Sequence, residues 1–250
     1  MRTKLLPLLF VAVAIGLWSL VSSLQIFSNL VLPAPWEVLE GFVEEAVSGR
    51  LYQDVVASLF RVTIGFGLAV ILGIPFGLWM GSQPVLRDMM LPVVNFFRNL
   101  SPLAWIPFAI LWFGIGDAPA IFLIFIAALF PIILATFAAV ENIPSVYFRV
   151  ANDYGMGKGE ILRKVTFPAI APQVITTLRV TAGLSWLVVV AAEMIAGNDG
   201  LGFAIWDARN GLRMDLLVSG MIVIGVIGVI LDRLLVQLTK IPGVRWGYEQ

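Results

Sequence analysis

The stretch 143-IPSVYFRVANDYGMGKGEILRKVTFPAIAP-172 is the longest polar interruption between apolar segments in the second half of the chain, and it carries Arg149, Lys158, Arg163 and Lys164. Val146, Val150 and Tyr154 recur every four residues, and Tyr147, Ala151 and Tyr154 at four and three, which is the spacing of an amphipathic helix. Gly155 is expected to end that helix, because a residue without a Cβ enters the left-handed region freely. A second short helix is expected from about Lys158 to Phe167, with Ile161, Leu162 and Val165 on one face and Pro168 as its stop. Two short helices at an angle between apolar flanks make a handle for another macromolecule.

The flanks set the class. The chain has 250 residues, 60% hydrophobic and 13% charged, with a mean hydropathy of +0.96. A soluble domain is nearer half apolar and a quarter charged, so the expected fold class is an all-α polytopic membrane protein. Net charge is zero and gives no argument for nucleic acid. The chain has no Cys and no His, which excludes disulfides, thiolate nucleophiles, Cys/His zinc sites and histidine bases. No catalytic, cofactor-binding or metal-ligating residue is assigned. Gly155-Met156-Gly157-Lys158-Gly159 imitates a phosphate-binding loop but lacks the upstream Gly, and has Gly159 where Ser or Thr must hold Mg²⁺. Any ATP and Mg²⁺ therefore belong to a partner chain.

Leu5–Ser23 is long enough for a first membrane helix, with a cleaved signal as the alternative. Residues 33–47 then form an amphipathic helix at the interface, its apolar side Leu39, Phe42, Val43, Ala46 and Val47. It reads as an anchor or as a landing surface for an extracytoplasmic partner. Further spans are expected at about 58–81, 89–112, 119–140, 174–196 and 216–238, about six in all. In the second, Gly65, Ala69, Gly73, Gly77 and Gly81 recur every four residues, which lets another helix approach closely. The organisation is thus 1–57, a membrane helix plus an amphipathic segment; 58–240, a core containing the 143–172 loop; and 241–250, a tail. With both termini inside, the inner segments hold Arg2, Lys4, Arg87, Arg149, Lys158, Arg163, Lys164, Arg233, Lys240 and Arg245, against Arg50, Arg61, Arg209 and Arg213 outside. That asymmetry satisfies the positive-inside rule and puts the 143–172 loop in the cytoplasm.

Charges at membrane depth need partners or water. Arg98 and Glu193 are two such charges, and Arg179 can snorkel to the nearer interface. Arg179 and Glu193 are separated by fourteen residues on one helix, about 21 Å at 1.5 Å per residue, so each needs a partner from elsewhere. Arg98, beside Ser101 and Pro102, could attract a small anion or form a structural ion pair. Glu193 reads as a helix staple or a gate element. Arg98, Ser101, Trp186 and Glu193 are the candidates for a translocation path.

The loop resembles the cytoplasmic coupling loop of ABC-transporter permeases, whose pattern is Glu-Ala-Ala, three residues, Gly, nine residues, Ile-x-Leu-Pro. Ala151, Gly155, Val165, Phe167 and Pro168 fall in register, while Arg149 and Val150 replace the Glu and the first Ala. Further blocks, including SLFRVTIGFGLAVILGIPFGL, RNLSPLAWIPFAILWFGIGD and GLSWLVVVAAEMIAGNDGLGF, are similar to the nitrate/sulfonate/bicarbonate (taurine) importer class. The resemblance implies a type I (MetI-like) helical permease in a bacterial inner membrane. Two permease copies would form the path. ATP-binding subunits would grip Ala151, Gly155, Lys158, Ile161, Leu162, Val165 and Pro168, and an extracytoplasmic binding protein would deliver a small oxyanion or sulfonate. A pyrimidine-type vitamin precursor is the alternative substrate. An ion-gradient-driven carrier would need an inverted repeat, which the sequence does not display, and an intramembrane enzyme would need convergent catalytic groups.

Overall fold

Why the helices meet where they do follows from the small-residue stripe. The computed structural model describes residues 2–25, 28 and 31–240, and every regular element among them is helical. The 241–250 tail, with Arg245, lies outside the described residues. Helix α3 (Arg50–Ser82) packs along α6 (Asp117–Glu141) in the most extensive seam of the molecule, and α6 in turn packs on α9 (Phe167–Ala196). A Cβ on Gly65 would lie 2.7 Å from the Ile121 carbonyl oxygen, and one on Gly81 would lie 2.7 Å from Val140 Cβ. Between them, Gly73 faces Ile132 and Gly77 faces Ile133 and Thr136. The stripe is therefore the contact itself, as its spacing predicts.

Gly77→Val tests this seam. Its new Cβ would sit 2.6 Å from the Ile133 carbonyl oxygen and 2.7 Å from Thr136 Cβ. Since backbone must move, a loss of about 1–3 kcal/mol is expected. Gly67→Val, with nothing within 4 Å of its added Cβ, is the control. Thermal unfolding in one detergent should separate the two variants.

The other helices dress this core. Helix α1 (Arg2–Ser23) covers the first expected span. Helix α2 (Pro35–Ser48) starts with Pro35 and has its Ala34 N–H capped by Glu37 Oε2 at 2.8 Å. It leans on α11 (Met214–Val236) and α3. Helix α10 (Leu201–Asn210) bridges α9 and α11. Among the described residues, four helices are long and apolar enough to cross a membrane: Arg50–Ser82, Asp117–Glu141, Lys158–Ala196 and Met214–Val236, with Leu9–Ser23 and Pro102–Phe113 as shorter apolar helices.

Two expectations need correction. The span expected at 89–112 is not one helix. Helix α4 (Pro84–Asn99) ends, Leu100 and Ser101 are extended, a 3₁₀ turn covers Pro102–Trp105, and α5 (Ile106–Phe113) follows. Pro102 disfavours the helical conformation for the residue before it, and Ser101 sits at φ −58°, ψ 127°. Nor does Pro168 stop the second helix of the polar loop. Helix α8 (Lys158–Ile161) passes through a π turn (Leu162–Thr166) directly into α9. Phe167 N–H bonds the Leu162 carbonyl, five residues back. A π turn ahead of a proline is one way a helix accommodates the ring, and here the helix continues through Pro168.

Candidate functional site

The polar loop is a formed structure. Helix α7 (Ser145–Asp153) ends with Gly155 at φ +70°. Met156 N–H bonds the Ala151 carbonyl at 3.0 Å and Gly155 N–H bonds the Asn152 carbonyl at 2.9 Å, the paired bonds of a Schellman cap. Gly157, extended, opens α8. Ala151 is buried (2% exposed), and Phe148 packs against a cluster of Leu78, Val140, Ile143, Ile170 and Val174. These contacts fix α7 to the bundle.

The stripe that predicted α7 faces the other way. Val146, Tyr147, Val150 and Tyr154 are all exposed, Tyr154 at 78%. Of the residues assigned to the grip, Gly155, Lys158, Leu162 and Pro168 are exposed, Ile161 and Val165 are half-buried, and only Ala151 is enclosed. The loop thus presents an apolar and aromatic surface that the chain itself leaves uncovered. Sequence reasoning found the helix but did not assign Val146, Tyr147, Val150 and Tyr154 to that surface.

At the opposite end of α9 lies a buried ionic cluster centred on Arg61, which sequence reasoning placed among the outer charges. Arg61 is 1% exposed and Glu193 0%. Arg61 Nη1 donates to Glu193 Oε1 at 2.7 Å and to the Asp199 carbonyl at 2.9 Å. Its Nε donates to Asp117 Oδ1 at 2.7 Å, and Nη2 pairs with the Asp199 carboxylate. Ser58 Oγ donates to Glu193 at 2.8 Å and accepts Leu201 N–H at 3.0 Å, while Gly202 N–H reaches Glu193 Oε2 at 2.9 Å. Gly200, at φ +97°, leaves no room for a side chain, since a Cβ would lie 2.5 Å from Glu193 Cδ. One guanidinium therefore ties α3 to the start of α6, the end of α9 and the turn before α10. Every nitrogen of Arg61 is engaged, so it has no free fork to offer an anion.

The four candidates for a path do not converge within one chain. Arg98 and Ser101 flank the break after α4, both exposed. Trp186 is buried between α9 and α11, its Nε1 donating to the Ile224 carbonyl at 3.1 Å and its indole lying against Gly228. Glu193 is closed into the Arg61 cluster. Arg179 pairs with Asp232 of α11 at 3.1 Å. Both α9 charges thus find the partners from other elements that their spacing demands.

A second charged group lies beside α2. Arg50 Nη2 bonds Asp207 Oδ2 at 2.5 Å, and Arg213 Nη2 bonds both Glu44 and Asp215 at 2.7 Å. Burial raises the Glu45 carboxyl above the usual carboxylate range, with Arg50 opposing it.

Residues 73–240 match the family described as the binding-protein-dependent transport system inner membrane component. The chain belongs to that family. It is a multi-pass membrane permease. The permease is 35% identical over 226 residues, 88% of its length, to the taurine transport system permease protein TauC of Escherichia coli (strain K12), of which 82% is covered. It is 34% identical to the nitrate import permease protein NrtB of Synechocystis sp., covering 94% of this chain and 88% of that protein. The bicarbonate transport system permease protein CmpB of Synechococcus elongatus is 40% identical over 191 residues, 76% of this chain and 69% of that protein. Its fold is similar to a chain of the MetNI methionine ABC transporter in an inward-facing conformation, with a TM-score of 0.62 and 20% identity, over 78% of this chain and 99% of that one. The type I importer permease architecture expected from the sequence is thereby the observed one.

Proposed function

We propose that this permease forms the translocation path of an ATP-driven importer for a small oxyanion or sulfonate, in a bacterial inner membrane with both termini cytoplasmic. ATP-binding subunits dock on the α7 face and on the arm from Gly155 to Pro168, and the permease itself is non-catalytic, with ATP and Mg²⁺ held by those subunits. A second permease copy completes the path, and an extracytoplasmic binding protein delivers the substrate. The substrate class rests on the taurine, nitrate and bicarbonate relatives, whose substrates share a compact anionic head.

The observation that carries the reading is the helical continuity of Lys158–Ala196, 39 residues, or about 58 Å at 1.5 Å per residue. One end is the exposed grip and the other carries Glu193 into the Arg61 cluster. A push at the loop is transmitted along one body to the far end of the bundle. Driving a two-state bundle from 1:99 to 99:1 takes about 5.5 kcal/mol of differential binding, so a compliant hinge at the grip would waste the stroke.

Gly155→Trp is the direct test. A side chain at φ +70° costs about 1–2 kcal/mol in the left-handed region and breaks the Schellman turn. Co-purification of the ATPase and uptake should both fall. Unchanged assembly and transport would remove this loop from coupling. Competition of uptake by taurine, nitrate and bicarbonate then sorts the substrate.

A further inference from the structure

Two cavities meet beside α2, and their walls ask for opposite ends of one molecule. The first, about 280 Å³, is lined by Glu45, Arg50, Asp54, Asp207 and Arg213 among others. The second, about 660 Å³, is an apolar groove between α1, α2 and α11, with Trp18, Leu39, Phe42, Val223 and Val226 on its walls. Leu51 and Ser219 line both.

One acceptor in the polar cavity has no donor. Asp54 is 4% exposed, and its Oδ1 accepts Gly200 N–H at 2.8 Å. Its Oδ2 is buried without a hydrogen bond, the nearest cation being Arg50 Nε at 3.9 Å. Arg50 Nη2 bonds Asp207 while its Nε stands 3.8 Å from Glu45 Oε2, and Arg213 bonds Glu44 and Asp215. The carboxylates of Glu44, Glu45, Asp54 and Asp207 outnumber the guanidinium groups of Arg50 and Arg213, which leaves the lining net negative. Among the described residues no carboxylate grouping fits a metal ion. The groove, by contrast, is bounded by α1 and α11, helices that expose large apolar side chains such as Leu17, Leu20, Ile222 and Val229.

We propose that the two cavities together hold one phospholipid with a primary ammonium headgroup, a phosphatidylethanolamine, its ammonium on Asp54 Oδ2 and an acyl chain in the groove. A carboxylate oxygen accepts from an N–H or an O–H, and a quaternary amine offers neither. The acidic lining disfavours a headgroup that is anionic overall. The junction at Leu51 and Ser219 sits near the starts of α3 and α11, beside Arg50, Arg213 and Asp215, where both helices pass from charged to apolar sequence.

Native mass spectrometry of the full assembled permease, extracted from membranes containing equal phosphatidylethanolamine, phosphatidylglycerol and phosphatidylcholine, tests the proposal. Wild type should retain phosphatidylethanolamine about tenfold over the other two, the scale of one charge-assisted hydrogen bond. Asp54→Asn keeps an acceptor for Gly200 and should reduce that preference to within about twofold. If this variant does not assemble, Glu45→Gln should lower the preference in the same direction. Val226→Trp, which fills the groove from an exposed position, should remove the retained lipid whatever its head. Equal retention of the three lipids by wild type, an unchanged ranking in both carboxylate variants, or retention in Val226→Trp would overturn the site. So would a disulfide between copies from cysteines introduced at Phe42 and Val226 of this cysteine-free chain, since the groove would then hold a second copy.

Discussion

Arg61→Leu is expected to lower the stability of the permease by about 3–5 kcal/mol, the range for breaking a buried ion pair by removing one partner. Two of the three carboxylates that Arg61 touches retain access to water, Asp117 with 55% and Asp199 with 59% of the side chain exposed, so their share is small. Glu193 has no such outlet. With 0% exposure it would be left as a buried charge held only by Ser58 and the Gly202 N–H. The double variant Arg61→Leu, Glu193→Leu removes both charges and should recover much of the loss. Chemical unfolding of wild type, the two singles and the double in one nanodisc preparation gives the coupling directly. A single Arg61→Leu variant as stable as wild type would mean that the cluster does not hold the bundle.

That cluster was legible in the sequence, although it was not read there. Asp54, Ser58 and Arg61 are four and three residues apart, one polar face on an otherwise apolar helix, and Gly65 and Ala69 continue the same face into the α6 seam. Sequence reasoning starts the span at about residue 58 and counts Arg61, near its first turn, with the outer charges. Helix α3 begins instead at Arg50, and the polar face turns inward. The need of Glu193 for a distant partner was legible from spacing alone, but the partner's identity depended on the turn at 197–200, whose backbone geometry has no periodic signal.

The two corrected segments fail for a related reason. Hydropathy counts composition over a window, and the window around 89–112 is apolar whether or not its backbone is continuous. Pro102 was visible, yet prolines also stand inside α3 and α6 without ending them, so residue identity does not decide. What decides is whether neighbours or a wider turn can accommodate the ring. At Pro168 a π turn does so; before Pro102 the backbone opens.

Tyr154→Asp and Val150→Asp are expected to weaken ATPase association about 30-fold or more while leaving the permease folded. Both side chains stand on the outer face of α7, and the stability of exposed positions usually changes by no more than about 0.5 kcal/mol on substitution. An apolar anchor buried at an interface contributes about 2 kcal/mol or more, and a carboxylate in its place adds a desolvation cost. Phe148→Asp separates surface from support, because Phe148 packs on the cluster of Leu78, Val140 and Ile170. That variant should lose stability before it loses association. Titration of the purified ATPase subunit against permease in nanodiscs measures the first effect, and thermal unfolding the second. If Tyr154→Asp and Val150→Asp bind the ATPase as wild type does, α7 is not the docking face. If they bind weakly but transport normally at saturating ATPase, the face supplies affinity alone, and the stroke enters through the continuous arm that begins at Lys158.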